Sequence, residues 1–301
     1  MNKAVLVLAH KDPEQINMLI KQLLHDANGL TDIYIHLDKK NEGMGEQIIK
    51  DSHVKYIANN SVITWGDESM VIALLKCFKE LLQYKDKYEY LQICTGQDLM
   101  IKKGLDAYLD EHRGTIYLDT HEHEKYVKNM LWHNYPKCFK KDLKSRVALW
   151  LDEKYVRLSR HKWFPKKKIN LDIDSIKYYT SYNWGFYPFE VIEYISNFAE
   201  ENTEFMKLYN NSKNPEDGFL GLIIMNSKYS DRVIFKPWVH CPRSVSLTYL
   251  SPVTGSGCHF SAMTMNEIEK MDESDCFMAR KFDINQEREV VKYYYEKVME
   301  E

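Results

Sequence analysis

Apolar residues run almost unbroken from Lys3 to Ala9, the pattern of a short strand covered on both faces. The period then changes. Ile16, Leu19, Ile20, Leu23 and Leu24 recur at three- and four-residue spacing and predict a helix with one buried face. Asp12 suits its N-cap, Pro13 its first position, and Gln15, three residues after Asp12, completes a capping box. A second strand spans Asp32 to Leu37 and a third Val54 to Ile57. A helix carrying Val71, Leu74, Leu75, Phe78 and Leu82 follows, then a strand from Tyr88 to Cys94. Three consecutive β-α units predict an α/β fold whose twisted central sheet is mostly parallel, joined by right-handed crossovers and flanked by helices.

The pattern breaks at about residues 119–170, which are rich in His, Lys, Trp and Arg and show no strand signal. Val147, Leu151, Tyr155 and Leu158 predict an amphipathic helix there, and the whole stretch reads as a helical, basic insertion over the sheet edge within a single domain, 1–301. Lys166, Lys167 and Lys168 form a basic run that suits a solvated turn or a contact with phosphate or a membrane surface. Further on come helices at about Pro188 to Glu200 and Glu216 to Asn226. A strand near Val233 to Trp238, a Gly/Ser loop at Gly255 to Gly257 and an acidic helix from Asn266 complete the pattern. No internal repeat is present.

Composition narrows the function classes. A net charge of −3 over 301 residues gives no general attraction for nucleic acid. No apolar run reaches membrane-spanning length, and Ala4 to Ala9 is too short for a signal core, so the expected place is the cytoplasm or the inner face of a membrane. Six cysteines (Cys77, Cys94, Cys138, Cys241, Cys258, Cys276) without CxxC spacing read as mostly buried thiols. The 21 tyrosines and 6 tryptophans provide flat rings of the kind that cover a sugar face or fill a core.

The candidate chemistry gathers at strand ends. Asp38, Lys39 and Lys40 follow the second strand and Thr95-Gly96-Gln97-Asp98 the fourth, on the edge where open α/β sheets bind ligands. With Leu8-Ala9-His10-Lys11, Ile35 to Lys40, Ile63-Thr64-Trp65-Gly66, Thr95 to Leu99 and Met278-Ala279-Arg280-Lys281-Phe282-Asp283 in this order, the chain resembles glycosyltransferase family 14. That family comprises the core-2/I-branching N-acetylglucosaminyltransferases and peptide xylosyltransferases. The resemblance implies a GT-A-type fold and an inverting transfer from a UDP-sugar to a hydroxyl of a glycan or lipid-linked glycan. The sugar would be N-acetylglucosamine or xylose-like, the product a surface or exopolysaccharide, and no cofactor or divalent metal is expected at the diphosphate. Peripheral membrane contact is a further expectation.

By the same resemblance His10, Asp38, Trp65, Gly66, Arg280 and Lys281 bind the donor. Asp38 would meet the nucleoside, and Lys281 with Arg280 the diphosphate. Tyr182, Trp184, Gln97 and Asp98 fall to the acceptor side. Rings in the core and a loop-capping Asp98 are the alternative uses of those residues. The family's base is the glutamate of a Pro-Asp-Glu motif at a helix start, whereas this chain reads Pro215-Glu216-Asp217. Asp217 therefore holds the base position, with Glu216 as the alternative and helix capping as a third use. Aspartate is one methylene shorter, and displacement of a catalytic group by about 1 Å can cost roughly 10²-fold in rate. A second family arginine is missing; His259 or Arg243 would substitute. Asp172-Ile173-Asp174 spells a metal-binding DxD but lies far from the early strands, and His121 with His123 reads as a surface loop. A non-catalytic nucleotide- or glycan-binding relative that has lost the base, and a two-carboxylate glycoside hydrolase, are the competing readings.

Overall fold

The structure is a computed structural model describing residues 1–64, 66–136, 146–172, 175–234, 244–254 and 259–300. In chain order its elements are β1 (Lys3–Ala9), α1 (Pro13–His25), β2 (Thr31–Leu37), β3 (Val54–Tyr56), α2 (Ser69–Leu81), β4 (Tyr90–Thr95), β5 (Asp98–Met100), α3 (Leu105–Glu111), β6 (Tyr117–Glu122), α4 (Glu124–Leu131) and α5 (Arg146–Ser159). They continue with β7 (Tyr179–Pro188), α6 (Phe189–Glu201), α7 (Thr203–Met206), α8 (Phe219–Met225), β8 (Ser244–Val245), β9 (Thr248–Leu250), β10 (Val253–Thr254), β11 (His259–Phe260), α9 (Ile268–Asp272), β12 (Met278–Arg280) and α10 (Arg288–Glu300).

Six strands form a mixed, mostly parallel sheet in the order β3-β2-β1-β4-β7-β6. β1 to β4 are parallel to one another, and β7 runs antiparallel to both of its neighbours. Alternation along the strands divides the core. Val5, Val7, Ile33 and Ile35 face α1 and α10, while Ala4, Leu6, Tyr34 and Leu91 face α2, α6 and α8. Burial of β1 on both faces follows, as its unbroken apolar run predicts. A second sheet, β5-β12-β9-β8, carries the C-terminal segment back to the edge beyond β4.

Several expectations are corrected. Asp12 is left-handed and makes no side-chain cap; Gln15 is instead buried, with its amide bonded to residues far along the chain. The connection from β2 to β3 is a 3-10 segment, Lys39–Gln47, not an α-helix, in a sequence containing Gly43 and Gly45. Residues 119 to 122 are strand: β6 begins before the presumed insertion, so His121 and His123 lie at a strand end and not in a loop. The helix expected at Val147, Leu151, Tyr155 and Leu158 is present as α5, with Tyr155 half-buried and Val147, Leu151 and Leu158 exposed. Val233 makes only a bridge to Ile116, whose carbonyl accepts the Ile234 N–H, and residues 235–238 of the expected strand lie outside the described residues, as do Gly255 to Gly257. Cys77, Cys94 and Cys276 are buried, as expected; the other three cysteines are not described.

β7 was illegible because Ser181, Asn183 and Gly185 interrupt its apolar pattern. Gly185 is structurally required. It pairs with Leu118 beside an irregularity in the β6–β7 register, its φ is +155°, and a Cβ there would stand 2.3 Å from the Tyr117 carbonyl oxygen. Gly185→Ala should therefore lose at least about 2 kcal/mol of stability. A urea-unfolding midpoint equal to that of the parent would show that β6 moves aside at little cost.

Candidate functional site

The strand order turns in opposite directions on the two sides of β1, opening a crevice beyond the C-terminal ends of β1, β2 and β4. His10 leaves β1 there, Asp38 leaves β2, and Gly96 to Asp98 leave β4. Asp38 is buried and is held by the Lys40 backbone N–H (3.0 Å) and ammonium (3.4 Å). Its own backbone N–H donates to Ala9, tying the β1 and β2 exits together.

β12 brings cations to this edge. In the register of β12 on β5, Arg280 lies directly opposite Asp98, and its Nη1 donates to the buried carboxylate at 2.9 Å. Burial pushes the Asp98 carboxyl up, against the pull of Arg280 and of the Thr95 backbone N–H. The guanidinium also lies 4.1 Å from the centroid of the Trp184 ring, which stacks on Tyr182 at 4.3 Å. Arg280 Nε is buried without an acceptor. Beside it the Lys281 ammonium has no carboxylate partner among the described residues. Burial and the charges of Arg280 and Lys11 hold it below the usual lysine range.

Hydrogen bonds fix this cationic segment to the sheet edge. Gln15 donates to the Gly96 and Phe282 carbonyls at 2.8 and 3.4 Å and accepts from the Ile284 backbone N–H at 2.9 Å. The Gln97 amide also reaches the Phe282 carbonyl, and its own carbonyl accepts from the Phe282 N–H at 2.8 Å. Lys11 is a third cation, bonded to Asp283 at 2.6 Å and Asp12 at 3.1 Å. Burial opposes ionisation of Asp283, but Lys11 and the backbone N–H groups of Asn285 and Gln286 outweigh it and hold the carboxyl below its ordinary value. Burial, with Lys11, Arg280 and Lys281, depresses the His10 imidazole, and Asp38 opposes them; these five residues thus share one electrostatic neighbourhood.

A second group stands across β7. The turn Pro215–Gly218 packs against β7, with Gly218 beside the Tyr179 carbonyl, and Ser181 accepts the Gly221 N–H at 2.8 Å. Glu216 and Asp217 project from this turn. The Gly66 carbonyl accepts from Asn214 at 3.0 Å, and a Cβ on Gly66, whose φ is +78°, would stand 2.9 Å from Asn214 Oδ1, so glycine is needed. Burial and repulsion from Asp217 push Glu216 up to about 8, with the Gly66 backbone pulling the other way; Oε2 is buried without a partner. Burial also pushes Asp217 up, to about 6, against the Tyr126 hydroxyl that donates to it at 3.2 Å. Both carboxyls therefore hold their protons to a higher pH than a free acid does.

The sequence-predicted site residues thus fall into two groups. His10, Asp38, Gln97, Asp98, Arg280, Lys281, Tyr182 and Trp184 share the crevice, with Gln97 and Asp98 supporting the cationic segment and not lying free for an acceptor. Gly66, Glu216 and Asp217 form the second group. Trp65, Arg243, Ile173 and Asp174 lie outside the described residues, as does the His259 side chain. Lys11, Gln15, Tyr126 and Asp119 escaped sequence reasoning. Asp119 on β6 is buried without a hydrogen bond to its carboxyl among the described residues, and burial pushes it up to about 7. Lys11 was legible within the quoted His10-Lys11 motif; the others depend on long-range packing. Among the described residues no three His, Cys, Asp or Glu side chains are grouped to hold a metal ion.

No protein-family model matches the chain, and no curated protein matches it.

A raised carboxyl proton affinity in the folded state means that the native protein binds protons the unfolded chain has released, so stability falls as pH rises from the unfolded value through the folded one. For Glu216 that window runs from its ordinary value of 4.5 to about 8. Glu216→Gln should match the parent's urea midpoint at pH 4 and exceed it at pH 9. A constant difference at both ends would show that Glu216 is not the group that titrates.

Proposed function

We propose that the chain is an inverting glycosyltransferase of the family 14 type, with a GT-A-type arrangement, that transfers a sugar from a UDP-sugar to a glycan hydroxyl. The observation that carries the reading is one of unmet charge. Arg280 Nε and Lys281 Nζ, donors without acceptors among the described residues, stand at the ligand edge of an α/β sheet, and two carboxyl groups with raised proton affinity stand beyond the intervening strand. A diphosphate supplies the acceptors that the cations lack.

In this reading Asp38 meets the nucleoside and Lys281 with Arg280 holds the diphosphate, while Tyr182 and Trp184 give the sugars a stacked aromatic wall. Asp217 takes the proton of the acceptor hydroxyl. The oxygen attacks the anomeric carbon, and the bond from that carbon to the diphosphate oxygen breaks on the opposite face. Its electron pair leaves with the UDP, whose added charge the two cations stabilise. Glu216, protonated at neutral pH by burial and by repulsion from Asp217, keeps its neighbour the better base. The GlcNAc or xylose-like identity of the sugar rests on the resemblance alone.

Three measurements test this. Calorimetry should detect UDP binding with EDTA present, weakened about 10- to 100-fold in Lys281→Ala, the scale of one charge-assisted hydrogen bond. Undetectable binding by the parent protein would end the UDP assignment. Asp217→Asn should keep UDP affinity and lose about 10²- to 10⁴-fold in transfer rate; an active Asp217→Asn would move the base elsewhere. The acid limb of kcat/KM should fall near pH 6, where Asp217 gains its proton, and Glu216→Gln should leave that limb in place because Glu216 carries no charge there.

A further inference from the structure

α5 is inside out. Three polar side chains point into the protein: Asp152 accepts from Lys213 Nζ at 2.6 Å and from the Tyr135 hydroxyl, Tyr155 donates to the Asn134 carbonyl, and Ser159 donates to Asn129 at 2.9 Å. Its apolar stripe points out. Val147, Trp150, Leu151 and Leu158, spaced i, i+3, i+4 and i+11 on one helical face, are 68, 55, 41 and 44% exposed. Just beyond the helix Trp163 is 68% exposed, stacked on the exposed His161.

Charge surrounds this stripe. Residues 154–168 contain seven Lys and Arg and no carboxylate. Lys167 turns inward to the Leu208 carbonyl, while Lys154, Arg157, Arg160, Lys162, Lys166 and Lys168 are exposed. Lys154 lies over the Trp150 ring.

We propose that α5 and the segment to residue 168 dock this protein on an anionic lipid bilayer. The helix lies in the interface plane, its aliphatic side chains below the headgroups, Trp150 and Trp163 at headgroup level, and the cations reaching out to lipid phosphates. A second copy is a poor occupant: a two-fold contact would set six exposed cations against the same six, with Glu153 as the segment's one exposed carboxylate to offset them. No helix among the described residues is long and apolar enough to cross a membrane, so the contact is peripheral. Docking also has a fixed relation to the carboxyl pair, since the Asp152–Lys213 bond anchors α5 two residues before Pro215. On the glycosyl-transfer reading, that relation brings the base toward an acceptor held in the membrane.

The test is co-sedimentation of the full chain with vesicles of phosphatidylcholine alone and of phosphatidylcholine mixed with phosphatidylglycerol, together with light scattering in vesicle-free buffer. Binding should require phosphatidylglycerol. It should be lost in Trp150→Ser with Trp163→Ser, and weaken by about 100-fold or more when Lys162, Lys166 and Lys168 are all changed to Glu. All five substituted positions are at the surface, so circular dichroism should be unchanged. No binding to phosphatidylglycerol vesicles, equal binding to phosphatidylcholine alone, or a dimer in solution that the two tryptophan substitutions dissolve would each overturn the proposal. UDP binding measured on the same preparations without vesicles separates failure of the docking surface from failure of the catalytic reading.

Discussion

The placement of the site's cations depends on the cross-strand pair of Asp98 and Arg280. A carboxylate buried at the start of β5 needs a counter-charge, and the register of β12 on β5 puts Arg280 opposite it. Such a pair adds little net stability against an apolar alternative, because both ions lose their water. What it supplies is position. With Nη1 committed to Asp98 and the guanidinium face to Trp184, Nε is left aimed without a partner, and Lys281 follows at the next residue. Gln15 and Gln97 then fasten Phe282 and Ile284 to the edge of the main sheet. A segment almost at the end of the chain is thereby built into a crevice made by its first hundred residues.

The same desolvation acts with opposite sign at the two poles. It lowers the proton affinity of Lys281 and His10, and raises that of Glu216, Asp217 and Asp119. None of these groups gains stability from its surroundings in the form it would take in water. Perturbed groups of both signs mark candidate functional positions, because a fold selected for stability alone would tend to remove them.

Local pattern made the first half of the fold legible. β1, β2 and β4 are apolar runs ended by polar residues, and α2 carries a regular stripe, so their existence follows from burial alone. The ligand edge follows from strand order, and the short motifs around His10, Asp38 and Gln97 could be placed on it. Where pairing is long-range, the pattern was silent. The second sheet uses strands of two or three residues, too short for any period, and β7 needs Gly185 only because Tyr117 approaches from another strand. Gln15 has the spacing of a capping box but was recruited by Gly96 and Ile284. α5 shows a different limit. Periodicity reveals a stripe without saying which way it faces; Asp152, bound to Lys213, turned this one outward.

The exchanged order of the two acids is also decided by local geometry. Pro215–Gly218 is a 3-10 turn, in which successive residues are separated by about 120° around the axis, so neighbouring carboxyl groups diverge. Glu216 turns toward Gly66 and Asp67, where burial and two negative neighbours keep its proton on. Asp217 turns toward Tyr126, whose ring stacks with His123 at the end of β6. With the residues in the opposite order the longer side chain would occupy the Tyr126 side and the shorter one the Gly66 side. On the proposed glycosyl-transfer reading, the shorter acid draws the base back toward its own turn, so an acceptor hydroxyl comes deeper between α4 and β7 to meet it. Tyr126, which already donates to Asp217, is then the group the incoming hydroxyl has to displace or join.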